Sequence, residues 1–216
     1  MEKEIKGPGD APKPKKVKGP GSNLTPKEVA EAFLPVEEYV AAKEVKGFWK
    51  DVVEKKRPDG TEEVVEDSDW NSNLIVVGMG VILAGLLKND PDFAGGIVRH
   101  AIGRGSPAWD IPGPPTPNYS ATSLVDEYFR KAPTAISYLD PGGTPVVGPT
   151  RSILVQTVLD YGEANGGGGE YIREQGLFGH LADDTLGSGM LMNLIYHVAK
   201  FKNSGIKITR YINLQF

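Results

Sequence analysis

The 216-residue chain contains no cysteine. Disulfides, thiolate zinc sites and cysteine nucleophiles are thereby excluded, so stability has to come from packing or from oligomerisation. Histidine is nearly as scarce. His100, His180 and His197 are too dispersed along the chain to suggest a metal site, and His197 on a strand reads as an edge or interface residue. Long apolar runs are missing as well. The longest, Leu74 to Leu87, has 14 residues and contains three glycines, whereas a membrane helix needs about 20. The first 24 residues carry no apolar segment of the secretory kind. Charge of one sign is not in large excess, and a formal net charge of −4 argues against a dedicated nucleic-acid binder. These absences lead us to expect a protein made in the cytoplasm, with neither membrane nor nucleic acid as partner.

What is present is enough for a folded core: 39% of residues are hydrophobic and 24% charged. The 27 glycines and 17 prolines are many for a helical protein and favour a turn-rich β fold. Residues 1–24 form a basic Pro/Gly arm. Its six lysines include Lys13, Lys15 and Lys16, and it repeats the tetrapeptide Lys-Gly-Pro-Gly at Lys6 and Lys18. Such composition favours an extended, polyproline-like chain. It is either a disordered tail or an arm whose lysines meet an acidic neighbouring subunit. Thr25-Pro26-Lys27-Glu28 has capping-box spacing with Pro at the first helical position, so a short helical segment is expected over 25–46, interrupted at Pro35.

From residue 47 to 216 the pattern is a β domain. Phe48–Lys56 and Thr61–Glu66 flank Arg57-Pro58-Asp59-Gly60, a strong turn signal, and lysines of one strand face carboxylates of the other. Residues 72–88 read as a helix, with Leu74, Val77, Val81, Ala84 and Leu86 or Leu87 at helical spacing on its buried face. Gly78, Ala84 and Gly85 suit close packing on a sheet. Val77-Gly78-Met79-Gly80 is not a dinucleotide fingerprint, because that pattern should follow a strand of its own and needs glycine at its sixth position, which here is Leu83. Strands are expected at 97–102, 132–139, 152–160, 171–178, 189–198 and 206–216, with a turn of helix at 124–127 and a long Pro/Gly loop over 103–120. In the last strand, Ile206, Ile208, Tyr211 and either Leu214 or Phe216 are expected near the core, with one slip of phase at Thr209-Arg210.

The order of elements resembles a known group. Asn73-Leu74-Ile75-Val76 leads into a glycine-containing helix, and a strand ends in Ala101-Ile102-Gly103-Arg104-Gly105-Ser106-Pro107-Ala108. Ser123-Leu124-Val125-Asp126-Glu127-Tyr128-Phe129-Arg130 follows, then Ile172-Arg173-Glu174-Gln175-Gly176-Leu177-Phe178 and a terminal strand pair. Over about 46–216 this is similar to the small tail-fibre, collar and baseplate-attachment domains of tailed bacteriophages. The resemblance implies a virion structural subunit that oligomerises, as a trimer by analogy with fibres. With no receptor-binding segment after Phe216, it implies an adaptor attaching fibres to tail, baseplate or neck. A capsid decoration protein is the alternative, and a phage polysaccharide-degrading enzyme a more distant one.

No nucleophile, base and glycine-rich approach loop occur together, so neither catalytic, cofactor nor metal residues are assigned. Asp183-Asp184, Glu62, Glu63, Glu66 and Asp67 read as solvated charge and not as a glycosidase pair. Glu127 with Arg130, and Arg173 with Glu174, are either ion pairs orienting loops against the sheet or contacts between subunits. Trp109, in a proline-rich loop, is either an interface anchor or part of the core. The expected fold is mainly β, an antiparallel β-sandwich with one packed α-helix, preceded by a short helical segment and an extended N-terminal arm.

Overall fold

The computed structural model describes residues 45–91 and 95–216. The arm with Lys13, Lys15 and Lys16 and the helical segment expected over 25–46 lie outside the described residues, apart from its last two positions. Eleven strands and one α-helix follow in the order β1 Lys46–Lys56, β2 Glu62–Asp67, β3 Asn71–Ile75, α1 Val77–Leu87, β4 Ile97–Gly103, β5 Glu127–Lys131 and β6 Ala135–Leu139. β7 Pro145–Val146, β8 Ser152–Leu159, β9 Glu170–Gly179, β10 Met190–Lys202 and β11 Ile206–Gln215 complete the domain. Every pairing is antiparallel. Strand order is β5-β4-β9-β10-β3-β1-β11-β8-β6-β7, with β2 added beside β1. β3 is the hinge of the arrangement. Its first half pairs β1 and its second half pairs β10, so one chain of strands folds into two layers.

The inward side of the first layer is set by its register. Trp49, Ile212 and Val155 lie in one row across β1, β11 and β8; Val53, Ile208 and Leu159 lie in another. The first row meets Leu177, Met192 and Ile195 of the second layer and Met79 and Ile82 of α1. The second row meets Ile102 and Ile172. The layers therefore share a core, which is the expected sandwich, and α1 closes one side of it.

Three local readings change. The helix is shorter than 72–88: residues 71–75 are β3, because their backbone groups pair with β1 and β10, and α1 begins only after Val76. Leu124 precedes strand β5 and starts no helix; its side chain is needed on the sheet, where it is buried with Phe178 and Leu194. The last strand keeps its phase throughout. Ile208, Arg210, Ile212 and Leu214 all point inward, whereas Tyr211 is half-exposed. The apparent slip arises because the inward position between Ile208 and Ile212 is filled by an arginine.

Glycine in β9 has a packing reason. A Cβ on Gly176 would lie 2.6 Å from Leu191 Cδ1 and 2.8 Å from the Asn193 carbonyl oxygen. Gly78 admits α1 onto β10 in the same way, since its Cβ would approach the Leu191 carbonyl oxygen to 2.1 Å.

Candidate functional site

Three places bring functional side chains together: a polar layer inside the sandwich, a pinned loop on the outer face of the second layer, and the outer surface of α1.

The polar layer is a row between the two apolar rows. Asp51, Arg210 and Thr157 pair in register across β1, β11 and β8, and all three are buried. Arg210 Nη2 lies 3.3 Å from Asp51 Oδ2, and Nε lies 3.2 Å from Oδ1. From the second layer, His197 and His100 enter the same level and are buried. His197 follows Ile195 onto the inward face by ordinary strand alternation, with Tyr196 between them turned out against Trp109. Beyond it the β10 register breaks: Tyr196 pairs Glu174 but Lys200 pairs Ile172, so two extra residues bulge out, and Lys200 Nζ lies 3.2 Å from Asp51 Oδ2. Lys200 also binds Glu66 of β2.

Hydrogen bonding fixes the charge of this layer. The Val198 carbonyl can only accept, so His197 Nδ1, 2.8 Å away, carries the proton. His197 Nε2 is then bare and accepts from Arg210 Nη2 at 3.2 Å. His100 Nε2 lies 2.9 Å from Gln175 Oε1. Burial, reinforced by the neighbouring Arg210 charge, pushes each histidine down to about 3. Burial pushes the Asp51 carboxyl up, but Arg210 and Lys200 outweigh it and hold it below the usual carboxylate range. His197 is therefore an interior residue and not an edge residue. Alternation places it on the same face as Ile195, but no local pattern marks that face as carrying a polar layer.

The pinned loop gathers the other sequence candidates. Glu174 is buried on the outer face of β9. Its carboxylate accepts from the backbone N–H of Gly105 at 3.1 Å, Val125 at 2.9 Å and Asp126 at 2.7 Å. Burial pushes this carboxyl up, against the pull of the three donors. Arg173 binds Asp110 with both Nε, 2.8 Å, and Nη2, 2.7 Å. Trp109 packs on Tyr196, ring centroids 4.5 Å apart. The loop closes at its base where Arg104 N–H donates to the Asp126 carbonyl at 2.8 Å. Arg130 forms a two-pronged pair with Glu127, and its Nη1 donates to the Asp183 and Ser188 carbonyls, tying down a second loop. Trp109, Arg173 and Glu174 thus meet in one assembly on the sheet; Glu127 and Arg130 form a second one beside it. All five make contacts within the chain. The carboxylates of Glu62, Glu63, Glu66 and Asp67 face solvent along β2 and pair with Lys207, Arg57, Lys200 and Lys50.

The third place is α1. Met79 and Ile82, with Gly78 and Gly85, form its buried face. The stripe that periodicity assigns to the core, Val77, Val81, Ala84 and Leu87, is the outward one. Val77 is 39% exposed, Val81 43% and Leu87 89%. No charged residue occurs in the helix. Leu86, Ile136, Tyr138 and Phe216 extend the apolar surface along a groove of about 380 Å³ beside it. On the other side, Leu181 and Val77 border a second groove of about 500 Å³. The helical period is present as expected, but periodicity alone does not choose between two apolar faces.

Among the described residues no cluster of His, Asp or Glu has the arrangement of a metal site. No helix among them is long and apolar enough to cross a membrane. No family model matches the chain, and no curated protein matches it.

Proposed function

We propose that this protein is a non-enzymatic structural subunit that assembles with further copies of itself through the outer face of α1. The setting we propose is the one its motif order resembles, a tailed-phage virion. There it serves as an adaptor joining fibres to tail, baseplate or neck.

One observation carries the reading: a helix with no charge and apolar residues all round, half of it facing solvent. Helices of that kind are normally covered on every side, and contiguous exposed apolar surface marks an interaction site. Covering a side chain such as Leu87 is worth up to about 2 kcal/mol. A second copy is the occupant we favour, because copies of an uncharged apolar stripe can gather about a symmetry axis without repulsion. The groups with chemical reactivity support a structural role. Glu174 and Arg173 hold a loop, and Asp51, Arg210 and His197 bond one another inside the core. Light scattering on the purified protein tests the reading: a defined oligomer, a trimer by analogy with fibres, that Val81→Glu with Leu87→Glu reduces to monomer.

A further inference from the structure

We propose that the Asp51–Arg210–His197 layer is a proton-operated latch between the two sheets: a proton on His197 Nε2 breaks its contact with Arg210 and parts the layers.

The geometry makes the latch one-way. His197 already uses Nδ1–H on the Val198 carbonyl, so an added proton has only Nε2 to occupy. That atom faces the Arg210 guanidinium at 3.2 Å, and the acceptor becomes a donor facing a donor of like charge. The groups around it cannot relieve the clash. From β1 come the Trp49 ring, 5.3 Å from the imidazole, and Asp51, which already serves both Arg210 and Lys200. From β11 comes Arg210 itself, and from β10 Lys200, also a cation. β4 contributes His100, which the Arg210 charge also disfavours as a cation, and β9 the neutral Gln175 bonded to its Nε2. β8 adds Thr157, β5 the phenol of Tyr128, and β2 only Glu66, engaged by Lys200 outside the layer. Among these, Asp51 is the one carboxylate inside the layer, and it is committed.

The device is distributed across the sandwich. Arg210, Asp51 and Thr157 belong to the first layer, His197, His100 and Gln175 to the second. Charging either histidine therefore loads the boundary between layers and not a loop. The sign follows from linkage. Both folded histidines are depressed to about 3, below the ordinary value of about 6.5. The unfolded chain binds more protons in that window. Stability is complete above about pH 6.5 and falls as pH drops from there toward 3, roughly tenfold in the unfolding constant per pH unit and per histidine.

Urea unfolding followed by near-UV circular dichroism at pH 8, 6.5 and 5 tests the latch. Between pH 8 and 5 the native chain is expected to lose about 1,000-fold in its folding constant, about 30-fold from each histidine. His197→Gln keeps an oxygen to accept from Arg210 but takes no proton, so it should lose only the 30-fold share left to His100. An unchanged native folding constant over this range overturns the proposal, as does a His197→Gln variant with the native pH dependence. A second measurement holds even if that variant does not fold. By NMR, the His197 ring of the native protein should keep the shifts of neutral imidazole down to the opening transition. A native ring titrating near 6.5 without loss of tertiary structure overturns the latch outright.

Discussion

Replacing Glu174 by alanine removes the acceptor for three backbone N–H groups at once, those of Gly105, Val125 and Asp126. If the loop stayed in place, each part-buried donor left without a partner would cost about 1–3 kcal/mol at most, so about 3–6 kcal/mol together, allowing for partial relaxation. If the loop lifts off to reach water, the loss is apolar burial instead. Leu124, 6% exposed, gives up about 2 kcal/mol, and the Trp109–Tyr196 stack about 1 kcal/mol more. The cheaper route sets the loss, at about 3 kcal/mol. Glu174→Gln keeps one oxygen but turns an NH2 group toward a donor, so it should lose about 1–3 kcal/mol. Urea unfolding measures both, and trypsin reports the loop, because Arg104 sits at its base. The variant loop should be cut under conditions in which the native loop survives. A loss below about 1 kcal/mol for Glu174→Ala, with the loop still resistant, would refute the reasoning.

Other substitutions probe the interior. Arg210→Met alone leaves the Asp51 carboxylate buried with only Lys200 beside it, and should cost about 3–5 kcal/mol by chemical denaturation. Adding Asp51→Leu to it should restore most of that loss, because an apolar row continuous with Trp49 and Val53 replaces an ionic one. Gly176→Ala should cost about 1–3 kcal/mol by overpacking, since the new methyl meets the Asn193 carbonyl, which is backbone and cannot turn away. Removing Trp109 by Trp109→Ala should loosen the 104–126 loop without dissociating any oligomer, seen as faster proteolysis at unchanged mass.

The sheet was legible because its strands alternate or run apolar between turn residues, and those signals are local. Arg57-Pro58-Asp59-Gly60 marked its hairpin, and β8 to β11 fell close to where their patterns placed them. β3 was harder. Asn71–Ile75 joins an apolar run that continues into α1, so no break in hydrophobicity separates strand from helix, and only pairing with β1 and β10 decides. Glu127–Lys131 was missed as a strand because its polar residues are tied to a distant loop through Arg130, a contact no short window contains. The interior layer was invisible for a related reason. Arg210 looked like a fault in an otherwise apolar alternation, and its partners Asp51 and His197 lie 159 and 13 positions away. Glu174 was noticed as a charged residue in a strand, but what it accepts from, the two ends of the loop, depends on topology.

Self-association through α1 is read most directly from the state of the purified chain in solution. Light scattering coupled to size exclusion should give a mass several times that of the 216-residue chain, and the mass of a single chain once Val81 and Leu87 both carry carboxylates, with the β-sheet circular dichroism unchanged. A native protein that runs as a monomer at every concentration, with Leu87 still open to solvent, would contradict it.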